Sequence, residues 1–186
     1  MIERLKKFWK EFGTKEFGIK YILPVGGLFF TWGFLGHLYT QSLTLDDFVK
    51  TTGTVEQIEI VFEQGAKSNY KWLTIHLNET GDSYRVHDSF KSRFKEFKTK
   101  ISTGDTITIY TRTPLQTTIG WGQAADIYQI EKRGQVLFDF KWMKKFNKDQ
   151  LWTTLFFSVF FWGIYIGLMI NMNGEKKAAA NKMHVP

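Results

Sequence analysis

The chain contains two long apolar blocks, and these constrain its fold more than any other feature. The first runs from Ile19 to Tyr39, with Lys20 and His37 as its only basic side chains, and the second runs from Leu151 to Met172 without a charge. About twenty helical residues cross a hydrocarbon core of roughly 30 Å. Each block is apolar on every face, which does not suit a helix of a soluble core. The sequence therefore predicts transmembrane helices at residues 19–40 and 150–172.

Basic residues near the first block predict its orientation. Just after the block, only Lys50 occurs before Thr54, whereas six basic residues precede or open it: Arg4, Lys6, Lys7, Lys10, Lys15 and Lys20. Cytoplasmic flanks carry the excess of Lys and Arg, although the lysines around the second block are less decisive. We expect a cytoplasmic N-terminus, a translocated middle domain and a cytoplasmic tail at 173–186. The first block is too long for a cleaved signal peptide, so we expect it to be retained.

Residues 1–18 show a third apolar pattern at helical spacing. Its apolar positions alternate with charged ones and are Ile2, Leu5, Phe8, Trp9 and Phe12. This pattern predicts an amphipathic helix on the cytoplasmic leaflet of the membrane. A helix packed on a partner protein is the alternative.

The middle segment, residues 46–146, changes to the period-two pattern of β-strands. Strands are predicted at 54–62, 70–77, 83–87, 105–110, 126–132 and 136–140, and residues 113–125 are predicted to form a long loop. Phe90, Phe94 and Phe97 recur at helical spacing, which indicates one short amphipathic helix. The short helix falls between the third and fourth predicted strands, which is its place in an OB-like β-barrel. An SH3-like or open β-sandwich arrangement is the alternative. The predicted fold class is thus membrane α plus soluble β, with two transmembrane helices flanking the barrel.

Two short motifs carry a resemblance. Gly53-Thr54-Val55 opens the first predicted strand, and Thr103-Gly104-Asp105-Thr106-Ile107-Thr108-Ile109-Tyr110 lies near the end of the domain. With these motifs the chain resembles a widespread group of small bacterial membrane proteins, which place a β-domain of unknown function beside or between transmembrane helices. The resemblance implies the same architecture and a bacterial envelope. Together with the orientation expected from the basic residues, it leads us to expect a location in the bacterial inner membrane with the middle domain periplasmic. It implies no catalytic residue.

Residue types that carry chemistry are sparse. The chain has no Cys, which excludes disulfides and thiolate catalysis. We interpret His37 as an interfacial residue, and we expect His76 and His87 to lie too far apart along one ladder to share a metal ion. We expect acids such as Glu56 and Glu59 to lie on the exposed face of one strand, and they mark no catalytic cleft. We therefore predict a protein that is not an enzyme and holds no cofactor or metal.

Other residues suggest contact surfaces. Six glycines allow close helix packing against the other helix, a second copy or another subunit: Gly26, Gly27, Gly33, Gly36, Gly163 and Gly167. A possible ligand or partner surface combines aromatic and basic side chains: Trp72, Lys91, Arg93, Lys95, Lys98 and Trp121. A solvated helix face is the alternative for the basic ones. The net charge of +7 would attract nucleic acid or anionic lipid, and the predicted transmembrane helices favour lipid as the partner.

These observations predict a non-catalytic accessory or scaffold subunit of a bacterial inner-membrane complex. Its partners would be membrane lipids and other membrane-protein subunits or copies of itself. The alternative is a membrane-anchored binding or sensor module for a glycan, peptide or lipid headgroup. A channel is disfavoured, because the predicted helices lack the internal charges of a polar pathway.

Overall fold

The computed structural model describes residues 17–64, 69–78, 81–120 and 122–183. These residues form two compact units, one from residues 36–148 and one from residues 17–35 with 149–183. The predicted amphipathic helix with Leu5, Phe8, Trp9 and Phe12 lies outside the described residues. Trp121 lies outside them as well.

The described residues form two long α-helices and two short ones. A π-helical turn, Gly18–Ile22, leads into α1 (Leu23–Ser42). The short helices are α2 (Phe94–Lys100), which follows a 3₁₀ segment at Asp88–Arg93, and α3 (Pro114–Gly120). The last helix is α4 (Phe140–Met183).

Both long helices are apolar and long enough to cross a membrane over Gly18–Ser42 and Phe140–Gly174. Only 17% of the most apolar window of the first is buried, and none of that of the second. A core helix of a soluble protein would bury most of such a surface, so these helices have the surface expected of lipid-exposed segments. The α4 helix begins ten residues before the predicted start at residue 150, and it continues to Met183 within the predicted tail.

Within the described residues, six strands form one antiparallel sheet in the order β3-β2-β1-β4-β5-β6. The strands are β1 (Val49–Gln64), β2 (Asn69–Leu77), β3 (Ser83–Val86), β4 (Thr106–Thr111), β5 (Ile127–Lys132) and β6 (Gln135–Phe138). The sheet is open, because β3 and β6 are its two edges. A single parallel bridge joins Arg85 to Asp126 without extending into a ladder. A closed OB-like barrel is therefore not confirmed.

The core of residues 36–148 follows the predicted alternation. Leu73, Ile75 and Leu77 are fully buried, as are Ile107 (1% exposed) and Ile109. On the short helix, the predicted apolar face contributes Phe94 and Phe97 to the same core. Burial of each such side chain stabilises the domain by about 1.5–3 kcal/mol.

Phe62 is an exception. The period-two pattern of residues 54–62 places it on the same face as Ile58 and Ile60, but 65% of its surface is exposed. Here β1 and β2 extend as a two-stranded ribbon, in which Phe62 pairs with Lys71, whereas β3 pairs with β2 only from Leu73 to His76. Among the described residues, neither β3 nor β4 reaches the level of Phe62, and Phe62 does not belong to the core cluster. The Lys71 ammonium lies 5.0 Å from the centre of its ring.

The predicted loop at residues 113–125 was wrong in its first half, where α3 forms. Thr113 Oγ1 accepts a hydrogen bond from the Gln116 backbone N–H at 3.2 Å, and Gln116 Oε1 accepts one from the Thr113 N–H at 2.9 Å. This reciprocal pair is a capping box, and Pro114 occupies the first helical position, where its missing N–H costs nothing. The signal was present in the sequence as Thr-Pro-Leu-Gln.

Candidate functional site

A cavity of about 460 Å³ lies within the unit formed by residues 36–148. Its size is in the range of small-molecule sites. Its walls mix aromatic, ionisable and small residues: His37, Trp72, Arg85, His87, Thr118, Gly120, Gly122, Gln123, Asp126, Tyr128, Met143, Phe146 and Asn147. These residues come from α1, β2, β3, α3, β5, α4 and the segments beside them, so only the tertiary fold brings them together.

Arg85 and Asp126 form an ion pair in the cavity wall. The Arg85 backbone N–H donates to the carbonyl of Ala125 at 2.8 Å, which sets β3 beside the start of β5. Arg85 Nε then donates to Asp126 Oδ1 at 3.0 Å, and the Gln123 backbone N–H donates to Asp126 Oδ2 at 2.9 Å. Both carboxylate oxygens are therefore engaged by neighbours.

The Arg85 guanidinium packs against the Trp72 ring, and its terminal N–H groups remain available as donors. Its carbon lies 4.3 Å from the centre of the Trp72 ring, a cation–π distance. An arginine has five N–H donors, and only the Nε–H is used for Asp126. Within the described part of the chain, the terminal Nη groups make no hydrogen bond. Arg85 is thus a fixed cation with free donors beside the cavity.

Hydrogen bonding sets the tautomer of His87. The Ser89 backbone N–H donates to His87 Nδ1 at 3.1 Å, so Nδ1 carries the lone pair and the neutral ring is protonated at Nε2. Burial lowers the pKa of His87, with the carboxylates of Asp126 and Asp88 opposing the shift. The neutral ring is therefore favoured, and Nε2–H is a hydrogen-bond donor. Since Nδ1 is occupied, His87 is a poor metal ligand.

His37 takes the opposite tautomer. Asn147 Nδ2 donates to the Met143 carbonyl at 2.8 Å, which orients the amide and leaves Oδ1 facing His37. His37 Nδ1 lies 3.0 Å from this oxygen and must be the donor. The neutral ring then carries its lone pair on Nε2. The prediction of a merely interfacial His37 omitted this contact, because Asn147 lies 110 residues away in the sequence.

Arg112 lies behind the cavity wall and is almost completely buried, with 3% of its surface exposed. Its Nη1 donates to the Gly120 carbonyl at 2.9 Å, its Nη2 donates to Thr40 Oγ1, and its guanidinium packs on the Tyr128 ring at 4.6 Å. Among the described residues, Nε has no hydrogen-bond partner and no carboxylate forms an ion pair with Arg112. Burial lowers the pKa of this guanidinium.

Two glycines make room for Arg112. A Cβ added to Gly120 would lie 2.6 Å from Arg112 Nη1, and one added to Gly122 would lie 2.9 Å from the same atom. Both glycines also line the cavity. Glycine at both positions is therefore the sequence signal that could have indicated a buried group beside residues 120–122.

Tyr128 completes the polar wall. Burial raises the pKa of its phenol to about 12, so the hydroxyl stays protonated at physiological pH. The cavity thus offers donors from Arg85, His87 and Tyr128, and an acceptor at His37. Over the ranges that the structure describes, no group of three or more His, Cys, Asp or Glu side chains is placed to hold a metal ion.

The predicted aromatic and basic surface is divided by the fold. Trp72 lines the cavity, but none of the basic residues from position 91 to 98 does. Arg93 lies over Trp142 at 3.5 Å and pairs with Glu96 at 3.0 Å. Lys91 pairs with Asp88 at 3.4 Å, while Lys95 and Lys98 are exposed. These cations form local contacts around α2 instead of a shared groove.

The six predicted packing glycines fall into two groups. Four lie in α1 within contact distance of other side chains or backbone: Gly26 against Phe161, Gly27 against Trp162, Gly33 against Thr154 and Gly36 against the Ile119 carbonyl. Gly163 and Gly167 in α4 have no described atom within 4 Å of an added Cβ. The α1 glycines therefore serve packing within the chain, and those of α4 present an open face.

Comparison of the chain with protein-family models, with curated proteins and with solved structures found no match.

Proposed function

We propose that this chain is a membrane-anchored binding module, with a small-molecule site in the cavity of residues 36–148. One observation carries the proposal: Arg85 is held by Asp126 and Trp72, yet its terminal N–H groups make no hydrogen bond with the described residues. Buried donors normally find a partner in the protein, whereas donors that line an open cavity are available to a ligand or to water. A site that fixes a cation and leaves its donors open is pre-organised for a ligand.

The remaining predictions of topology belong to the same proposal. The sheet would act as an incomplete OB-like barrel on the periplasmic side of a bacterial inner membrane, with both termini in the cytoplasm. The charge distribution before α1 supports this orientation. Since the chain has no Cys, single cysteines can report it. A membrane-impermeant maleimide should label Glu56→Cys in intact spheroplasts and Asn173→Cys only after lysis, and the reverse pattern would invert the topology.

The binding proposal is tested by ligand-dependent thermal stability of the full chain in mild detergent. A panel of anionic, neutral and cationic small molecules is compared on the wild type, on Trp72→Ala and on Lys95→Ala. Trp72 lines the cavity, whereas Lys95 is an exposed residue outside its lining. A ligand at one hundred times its Kd stabilises by about 2.7 kcal/mol. Stabilisation that Trp72→Ala abolishes and Lys95→Ala preserves supports the proposal, and none across the panel refutes it.

An accessory subunit is the second candidate, and the open face of α4 supports it. Gly163 and Gly167 have open space where a side chain would lie, and the neighbouring Ile166 and Ile170 are exposed. A glycine pair four residues apart lets another helix approach closely in a membrane. Gentle solubilisation, pull-down on a terminal tag and mass determination of the intact particle test it. A large hetero-complex favours this candidate, and a lone chain removes it.

A further inference from the structure

The charge of the cavity points to the chemistry of its ligand. Arg85 and Asp126 compensate one another at 3.0 Å, so the pair contributes no net charge. Arg112, packed behind Gly120 and Gly122, adds a second cation, which is buried and which Asp126 attracts without forming an ion pair among the described side chains. Burying a charge without full compensation is costly, and an anion nearby offsets that cost. Two arginines thus share one carboxylate, which leaves one positive charge in excess among Arg85, Arg112 and Asp126.

The donors around the cavity are of the kind that oxyanions accept. Arg85 offers two terminal nitrogens in a planar fork, the geometry that pairs with two oxygens of one phosphate or carboxylate. His87 offers Nε2–H, because Nδ1 is used by the Ser89 backbone N–H. Tyr128 offers a phenol that remains protonated. Three donors on or beside β3 and β5 thus line one cavity.

The acceptor on His37 favours a ligand whose oxyanion itself carries a proton or has a hydroxyl group beside it. Its Nε2 carries a lone pair, because Nδ1–H donates to Asn147. An ionised carboxylate has no proton to donate and would face this lone pair unfavourably. A singly protonated phosphate, or a hydroxyl group next to a phosphodiester, can donate to Nε2 while its other oxygens accept. Trp72 and Phe146 supply apolar wall for the rest of the molecule.

We propose that the cavity binds a phosphate group carried on an organic body, with Arg85, His87 and Tyr128 as donors and His37 as acceptor. This inference rests on the cavity being the binding site proposed above, and it specifies the ligand class. The same chemistry has two sources, a phospholipid headgroup or a soluble organophosphate. In either case Arg112 acts as a positioning residue that supplies positive charge from behind the wall.

The test measures binding to the full chain in micelles of a maltoside detergent, which contains no phosphorus, by calorimetry and by thermal stability. The soluble arm uses glycerol 3-phosphate and inorganic phosphate, with succinate as an anionic control that lacks phosphorus. The lipid arm adds phosphatidic acid to the micelles or, as the control, a fatty acid of equal chain length. We expect stabilisation by the phosphate compound of one arm and none by its control.

Three variants locate the site. Arg85→Lys keeps the charge beside Asp126 but loses the fork, and Tyr128→Phe removes only the hydroxyl. A hydrogen bond to a charged group is worth about 1.5–3 kcal/mol, so each change should weaken binding at least roughly tenfold. Lys95→Ala removes an exposed cation outside the cavity lining and should bind as the wild type does. If Arg85→Lys does not fold, as judged by circular dichroism, Tyr128→Phe decides the question by itself.

The outcomes distinguish this inference from the function it rests on. Phosphate-dependent stabilisation that weakens in Arg85→Lys and Tyr128→Phe supports both. A neutral or cationic ligand that stabilises the wild type but not Trp72→Ala, while phosphates have no effect, overturns the inference and leaves the binding module standing. Equal binding of phosphate and its control, or wild-type affinity in Tyr128→Phe, also overturns it. No stabilisation by any class refutes both.

Discussion

Gly36 and Gly163 allow one substitution to be compared in two surroundings. Both lie inside long helices, and alanine at either position removes the same backbone freedom of glycine. A Cβ on Gly36 would lie 2.6 Å from the Ile119 carbonyl oxygen and 3.4 Å from the Gly120 Cα. These are backbone atoms, which cannot rotate away as a side chain can. A Cβ on Gly163 meets no described atom within 4 Å.

The magnitudes follow from two terms. Alanine is favoured over glycine in a helix interior by about 1 kcal/mol, and this term is common to both sites. Overpacking in a closed space costs typically about 1–3 kcal/mol, and this term applies to Gly36 alone. We therefore expect Gly163→Ala to stabilise by about 1 kcal/mol. Gly36→Ala should have a free energy of unfolding about 1–3 kcal/mol below that of Gly163→Ala, because the common term cancels.

Thermal unfolding in one detergent, followed by circular dichroism, measures the difference. For a chain of this size, 1 kcal/mol shifts Tm by about 2–4 °C, so the two variants should differ by roughly 2–12 °C. Gly33→Ala is an internal control, because its Cβ would make ordinary contact with Thr154 Cγ2 at 3.4 Å. It should behave like Gly163→Ala. Equal Tm values for Gly36→Ala and Gly163→Ala would refute this reasoning. They would show that the backbone of residues 119–120 moves away from the added Cβ without loss of stability.

Three further predictions concern titration and hydrogen bonding. Burial holds the pKa of His87 below its usual 6.5, so protonation favours the unfolded chain and stability should fall as pH drops below about 6.5. His87→Gln should flatten that part of a stability–pH profile, and an unchanged slope would assign it to another group. The Lys132 ammonium, 2.6 Å from Asp105, lowers the pKa of that carboxyl, so its contribution is present above pH 3.8 and is lost as pH falls further; Asp105→Asn should remove this acid-side loss in the same profile. Trp162→Phe removes the indole N–H that donates to Thr31 Oγ1 at 3.1 Å, and should cost about 0.6–1.7 kcal/mol in unfolding by a denaturing detergent, whereas no change would make the bond dispensable.

Local pattern was sufficient for the elements and for the side chains they bury. Leu73, Ile75 and Leu77 alternate along β2, and all three are fully buried. Phe94 and Phe97 lie one helical turn apart and enter the same core. These predictions succeeded because backbone geometry alone decides which residues share a face. The α3 helix follows the same rule. Its capping box, Thr113 to Gln116, is a local sequence signal, although residues 113–125 were predicted to form a loop.

The extent of the sheet depended on pairing, which local pattern does not encode. Phe62 continues the alternation of β1, yet it is exposed at a level of the sheet where, among the described residues, only β1 and β2 pair. The sheet also stays open, with one bridge between Arg85 and Asp126 where a barrel would need a ladder. Strand order and length at the edges follow from how far each neighbour extends, and that is a tertiary property.

The sequence by itself determined the two apolar helices, the inward faces of the strands and the packing glycines of α1. Each follows from local composition or spacing, which helix and strand geometry places on a surface or a face. The cavity was decided by the tertiary structure. His37 and Asn147 are 110 residues apart, and Arg85 and Asp126 are 41 apart. No periodicity connects such residues, and each looks like an ordinary polar side chain in its own segment. Only when the fold brings β3 next to the residues that precede β5, through the hydrogen bond from the Arg85 N–H to the Ala125 carbonyl, do these side chains line one cavity.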